Sequence, residues 1–302
     1  MRLTKALCVL AGIAALASAP VSAKTTVLKP SGPWQVDFGL EKCRLARLFG
    51  GEDNQHLIFF DQYWPSPSLS MTVSGPSFER FEARRRTTKV SGRDNRRVTR
   101  LAFGADGTSF ETKPFIGETE RFGKAVIYAS VNVAMGDESP PQTVSGLPQL
   151  DAAEAQAATV VSLSQTSKTV TLETGPLGDP FKVLNQCTQQ LLQDWGLDVE
   201  KHLTAQRTPR WTNEKEIAKR ILRQYPSAAL YRGEQALVLM RVIVDENGSV
   251  AECKVVNATV AKSLESPACV AMKDARFEPA LDAAGNPFRS YFATPITYRI
   301  NG

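Results

Sequence analysis

Short runs of alternating or wholly apolar residues dominate the chain from Lys24 to about Ala134. Trp34 to Phe38 alternates, and Arg44 to Phe49 reads as another strand or a single turn. His56 to Phe60, Leu69 to Val73, Val98 to Phe103 and Ala125 to Val133 have the length and composition of strands. Gly, Pro, Asn and Asp punctuate them at Gly50-Gly51, Pro65 to Pro67, Asp94-Asn95 and Gly104 to Gly107. Gly136 to Leu150, with Pro140, Pro141 and Pro148, reads as a surface loop, and Ala152 to Ala158 as a helical turn or two. Strand character returns from Thr159 to Thr174, where Val160, Ser162 and Ser164, then Val170 and Leu172, repeat at period two.

The period then lengthens. Asp179 is a suitable helix N-cap and Pro180 a suitable first residue. Leu184, Cys187, Leu191 and Leu192 fall on one stripe, and Gly196 is a natural stop. The polar, aperiodic stretch Leu203 to Arg210 reads as a boundary between domains. Beyond it, Asn213 with Glu216 three residues on forms a capping-box pattern, and Ile217, Ile221, Leu222 and Tyr225 make an apolar stripe that Pro226 ends.

The strand from Gln235 to Val244 is apolar on both faces. Ala236, Val238, Met240, Val242 and Val244 point one way; Leu237, Leu239 and Ile243 point the other, interrupted by Arg241. Such a strand needs cover on both sides, by helices on one and by the other domain or a partner on the other. Asn247-Gly248 marks a tight hairpin into Ser249 to Val256, where Ala251, Cys253 and Val255 alternate inward. Ser266 and Pro267 open a short helix, Phe277 reads as core, and a last strand ends in Thr294 to Ile300.

The leader and the cysteines bear on compartment. Arg2 and Lys5 precede an apolar run from Ala6 to Ala19, with small residues at Val21-Ser22-Ala23. Residues 1–23 therefore read as a cleavable signal peptide, with an uncleaved inner-membrane anchor as the competitor. Cys8 precedes the bulk of the apolar run, which argues against a lipid-modified cysteine. The chain is then expected to be exported, starting at Lys24. Cys43, Cys187, Cys253 and Cys269 remain, an even number that allows three pairings in an oxidising compartment. Their separation into two sets favours Cys43–Cys187 and Cys253–Cys269. Zinc is disfavoured, because there is no Cys-x-x-Cys and no nearby histidine.

Candidate chemistry is sparse. The chain has two histidines, His56 and His202, with no local acid–nucleophile arrangement. His56 reads as an ordinary half-buried residue and His202 as part of a polar linker. No Gly-x-Ser-x-Gly, His-Glu-x-x-His, phosphate loop or dinucleotide fingerprint is present, so no catalytic, cofactor-binding or metal residue is assigned. Asp245, Glu246 and Asn247 lack calcium-loop spacing and are explained by the turn. The formal charge of +5 includes two leader residues and does not point to nucleic acid. A basic run comprises Arg80, Arg84, Arg85, Arg86, Lys89, Arg93, Arg96, Arg97 and Arg100. It reads first as a solvated strand pair and second as a patch, centred on Arg84, Arg85 and Arg86, for peripheral contact with anionic lipid.

Tyr225-Pro226-Ser227-Ala228-Ala229, Val238 to Val244 with Asp245-Glu246-Asn247-Gly248-Ser249-Val250, Cys253-Lys254-Val255, Cys269, Arg276-Phe277-Glu278-Pro279-Ala280 and Gly285-Asn286-Pro287 occur in that order. Together they resemble the C-terminal domain of the TonB energy-transducer family, over roughly Trp211 to Gly302. The region before it resembles the accessory part of exported TonB-domain proteins, through Trp34 to Phe38 with Cys43-Arg44-Leu45, and Thr174-Gly175 with Cys187 and Trp195-Gly196-Leu197-Asp198. The resulting expectation is an α+β protein. A signal peptide (1–23) precedes a β-rich N-terminal domain with a C-terminal helix (24–202). A linker (203–210) then leads to a small α/β domain (211–302) with two helices and a three-stranded antiparallel sheet.

The resemblance implies docking of a peptide segment of an outer-membrane receptor or other envelope protein by strand addition. The implied edge residues are Tyr225, Pro226, Phe292, Thr294, Ile296, Tyr298 and Ile300. A periplasmic, non-enzymatic binding module without cofactor is expected. A membrane-anchored energy transducer and an exported enzyme are the alternatives, and a homodimer closing the edge stays open.

Overall fold

The computed structural model describes residues 24–81, 99–104, 109–112, 114–133, 144–224, 227, 231, 236–257 and 267–298. Arg84, Arg85, Arg86, Tyr225, Pro226 and Ile300 lie outside this set, as does the side chain of Tyr298.

The β-rich unit begins with β1 (Lys24–Leu28), β2 (Gln35–Phe38), β3 (Cys43–Phe49), β4 (His56–Gln62) and β5 (Leu69–Ser74). It continues with β6 (Thr99–Phe103), β7 (Phe110–Thr112), β8 (Phe115–Thr119), β9 (Gly123–Val131), β10 (Val161–Gln165) and β11 (Lys168–Leu172). A six-stranded sheet in the order β2-β3-β4-β5-β9-β8 is antiparallel throughout. A five-stranded sheet in the order β1-β11-β10-β6-β7 has one parallel pair, β1 with β11. Inward residues of both sheets, such as Phe60, Met71, Leu101 and Leu163, share one core with helix α1 (Gly178–Asp194). That helix buries Leu184, Cys187, Leu191 and Leu192, the stripe expected from its spacing, and also Phe181. Each fully buried Leu or Phe among them contributes about 1.5–3 kcal/mol. Cys187 bonds Cys43 of β3, closing a separation of 144 residues with Cα atoms 5.9 Å apart.

Helix α1 starts at Gly178, with Leu177 as its cap, rather than after Asp179. Asp179 sits instead in the first turn, where its charge favours the helix N-terminus, and it meets Lys182 at 2.9 Å. The four residues of strand β2 are exposed, so its alternation does not mark a buried side; Trp34, just before it, packs against the core and stacks on Phe60.

A short helix, α2 (Val199–Leu203), and strand β12 (Arg210–Trp211) lead to α3 (Glu214–Arg223), β13 (Ala236–Val244) and β14 (Val250–Asn257). After these come α4 (Ala268–Met272), β15 (Phe277–Glu278), β16 (Ala280–Leu281), β17 (Pro287–Phe288) and β18 (Ser290–Tyr298). The central sheet of this unit is three-stranded and antiparallel, in the order β14-β13-β18. Cys253 on β14 bonds Cys269 on α4, with Cα atoms 5.5 Å apart. The chain is therefore α+β, with two described helices packed on the C-terminal sheet. Gly248 has φ +80, and a Cβ there would lie 1.9 Å from the Phe277 carbonyl oxygen, so the hairpin turn requires glycine.

Both faces of β13 are covered. Val238, Met240, Val242 and Val244 pack with Ile217 and Ile221 of α3 and with Met272, Trp211 and Phe277. On the other face, Leu237 and Leu239 meet Phe115 and Trp64, and Ile243 meets Leu192 and Leu197. Arg241 breaks the apolar run by stacking its guanidinium on Trp195, 3.8 Å from the ring centroid. The N-terminal unit is thus the cover for the second face. Ala251 departs from the expected inward alternation. The β13–β14 register shifts beside it, and the residue is exposed. Asn213 does not close a capping box either: its Oδ1 accepts from Arg276 N at 2.9 Å and Trp211 Nε1 at 3.2 Å, fastening the start of α3 to the loop before β15.

Candidate functional site

Strand β18 is an edge: among the described residues its ladder partner is β13 alone. The direction of its backbone groups follows from two observations. Asp245 donates to Ser249 O at 2.9 Å, so odd-numbered positions of β13 bond toward β14 and even-numbered ones toward β18. Across the register Leu239↔Pro295, this leaves Tyr291, Ala293, Pro295 and Thr297 with their backbone groups facing away from the sheet. Pro295 fits that pattern, because a proline in an edge strand sits where its missing N–H would face outward. Among the described residues of β18, four carbonyls and three N–H groups therefore point away from β13.

A groove of about 550 Å³ runs along this edge. Five consecutive residues, Tyr291 to Pro295, line it. Successive strand side chains point to opposite faces, so a cavity that touches all five straddles the edge rather than lying on one face. On one side of β18, Trp211 and Phe292 pack at 5.5 Å between ring centroids, with Pro209 and Glu214 nearby on the lining. The opposite wall belongs to the N-terminal unit and consists of Asp61 to Ser70 with Ala129, Ser130 and Asn132.

That wall is held in place at several points. Gln62 Nε2 donates to Ser66 O at 2.9 Å and Ser68 O at 3.3 Å. Ser68 N donates to Ser66 Oγ at 3.1 Å. Tyr291 reaches from β18 across the interface and donates its hydroxyl to Pro65 O at 2.8 Å. Burial drives the Tyr291 phenol well above its ordinary pKa, keeping it a donor. Asp61, 3% exposed, accepts from Arg44 Nε at 2.6 Å and Nη2 at 2.7 Å, with Lys42 at 3.4 Å. Burial works against the Arg44 charge, but the bond to Asp61 and its charge outweigh it and hold the guanidinium above its usual pKa. The buried carboxylate is therefore paired, and its charge is not offered to the groove.

The expected edge residues divide. Phe292 and Thr294 line the groove, whereas Ile296 packs against the helix-side core. Their backbone groups, at even positions, bond β13; the outward ones belong to the residues between them. The sequence pattern did not reveal Gln62 to Ser70, Trp211 or Tyr291 as site residues. The first of these stretches carried only a turn signal, at Pro65 to Pro67.

The histidines are structural. His56 is fully buried; its Nδ1 lies 2.9 Å from Asn54 O and its Nε2 accepts from Ser77 N at 3.0 Å. His202 is not in a polar linker: it sits in α2, 3% exposed, against the rings of Phe288 and Tyr291. Its Nδ1 is 2.5 Å from Asp198 O and its Nε2 is 2.9 Å from Ser290 Oγ. This serine–histidine contact lacks a carboxylate on Nδ1, since the Asp198 side chain caps α2 at Lys201 N, 3.1 Å away. Ser290 is 1% exposed, so no substrate reaches it. Burial pulls both imidazoles below their ordinary pKa. Among the described residues, no group of three or more His, Cys, Asp or Glu side chains could hold a metal ion.

Residues 222–300 match the family model described as Gram-negative bacterial TonB protein C-terminal. The C-terminal unit is a TonB C-terminal domain. No curated protein matches the chain. That family consists of proteins of the bacterial envelope, and β18 is the last strand of the matched region. No helix among the described residues is long and apolar enough to cross a membrane.

Proposed function

We propose that this protein is a periplasmic binding protein whose TonB domain takes an extended segment of an envelope protein as an added strand on β18. The observation that carries the reading is the groove astride the free edge, with outward carbonyls at Tyr291, Ala293 and Pro295 and outward N–H groups at the first two. Strand addition draws adhesion from the main chain and selectivity from the flanking side chains. Binding rather than catalysis is favoured because both imidazoles are buried and bonded at both ring nitrogens.

The test is a photo-crosslinking side chain placed at Thr294, on the groove, and separately at Lys254 on the opposite edge, in cells with an intact envelope. Discrete adducts from position 294 alone are expected; equal labelling from both positions would reject the reading. The same reading holds residues 1–23 to be a removed leader. N-terminal sequencing of envelope-derived protein is expected to begin at Lys24, and a retained leader would favour an anchored transducer instead.

A further inference from the structure

We infer that the N-terminal unit is half of the binding site: the wall Gln62 to Ser70 selects a neutral extended peptide, with the buried Gln62 carbonyl accepting an N–H from it. This rests on the proposed strand addition and names what that addition selects. The wall lies outside residues 222–300, so the TonB domain alone does not contain it.

Three features converge. Gln62 is 2% exposed and lines the groove; its Nε2 is used twice within the wall, yet its Oε1 has no hydrogen-bond partner. A buried acceptor left without a donor is costly, and an N–H entering the groove would satisfy it. The lining combines the rings of Trp64, Trp211 and Phe292 with neutral polar side chains such as Ser70, Ser130 and Asn132. Its charged members are Asp61, neutralised by Arg44 and Lys42, and Glu214, which is exposed. Among the described residues, an acidic side chain seated here would meet no free cation, and a basic one would find no buried counter-ion, since Asp61 is already paired, so the seated stretch is neutral. Finally, the Tyr291–Pro65 bond ties the wall to the edge, so the two sides of the groove are fixed relative to each other before a ligand arrives.

Pro295 adds a register constraint. The incoming strand finds both donors and acceptors opposite Tyr291 and Ala293, but only an acceptor opposite Pro295. The segment is therefore a short neutral strand that pairs most fully beside Trp64 and Trp211, where the wall can inspect its side chains.

The experiment uses the full-length mature chain and a displayed library of random linear dodecapeptides. The best selected peptide is then measured against variants by fluorescence anisotropy. The wild type should select a neutral, apolar consensus. Ala293→Pro, which removes an outward donor on β18, should weaken the peptide about tenfold and reports on strand addition itself. Gln62→Met should weaken it about tenfold by removing the acceptor. Pro67→Glu, which leaves the Gln62 clamp in place, should shift the selected consensus toward Lys and Arg.

If Ala293→Pro weakens binding while Gln62→Met and Pro67→Glu leave affinity and consensus unchanged, strand addition survives and the wall proposal is overturned. If Ala293→Pro is without effect, or no peptide is selected, the underlying reading falls and the wall proposal with it. A dimer in sedimentation velocity that Ala293→Pro dissolves would assign the groove to a second copy of the chain and equally overturn the proposal. Should Gln62→Met unfold, seen as loss of a cooperative melt, the consensus shift in Pro67→Glu decides alone.

Discussion

The two edges of the C-terminal sheet are built from different chemistry. Strand β14 carries Glu252 and Lys254, each engaged: Glu252 with Arg289 at 2.7 Å, and Lys254 with Glu41 of the N-terminal unit. Its Cys253 is tied to α4 through Cys269. Strand β18, from Ser290 to Tyr298, has no charged residue and stands in a groove. Charges on an edge discourage a further strand from pairing there, and their absence leaves the ladder open. Among the described residues, one sheet thus has a closed edge and an open one, and Pro295 limits how the open one is read.

Four expectations bear on this contrast, from the largest effect to the smallest. Replacing Cys43 and Cys187 with alanine should cost about 5 kcal/mol, because that bond closes the longer loop; replacing Cys253 and Cys269 should cost about 3 kcal/mol. Urea unfolding measures both. The first pair should also weaken groove binding, since it holds the unit that carries the wall, while the second should spare it. A reversed order would show that the two bonds do not divide their work between the wall and the closed edge.

Next, Ala293→Pro should reduce peptide affinity by about 1.4 kcal/mol, one tenfold step, whereas Lys254→Ala on the other edge should change it little. Equal losses would erase the distinction between the edges. Replacing Glu252 and Lys254 together with threonine should open β14 to self-pairing, seen as a concentration-dependent dimer in analytical ultracentrifugation. A strictly monomeric double variant would mean that charge is not what closes that edge.

The smallest effect is on pH. Burial pulls His56 and His202 below the ordinary value of 6.5, so near and below that pH the unfolded chain binds more protons than the folded one. Their contribution to stability is complete above 6.5 and is lost as pH falls from there toward the folded values. Thermal melts at pH 7 and pH 5 should show the loss, and His202→Gln should reduce it. His202 lies at the contact between α2 and β18, so this also tests the support behind the open edge.

The halves of the molecule were unequally legible. The stripe on α1, the Asn247-Gly248 hairpin and the two-sided β13 follow from local spacing and turn chemistry, and the two cysteine pairs from the division of the cysteines into two sets. The ends of elements were less so: Leu177 replaces Asp179 as the α1 cap, and Asn213 turns away from its own helix to bond Arg276. In both cases local capping preference gave way to contacts set by packing.

The site itself was half legible. The family resemblance located β18, and the apolar second face of β13 required a cover. Which residues supply that cover depended on chain segments far apart in sequence, such as Tyr291 with Pro65, 226 positions away. Periodicity in a single chain registers that a face is buried, because burial is a property of one strand. What buries it, which backbone groups face outward and where a groove remains are relations between strands, and only the tertiary structure decides them. The sequence by itself determined a stapled α+β chain ending in a TonB domain with a neutral last strand. The tertiary structure made that strand one side of a groove and gave the other side to the N-terminal unit.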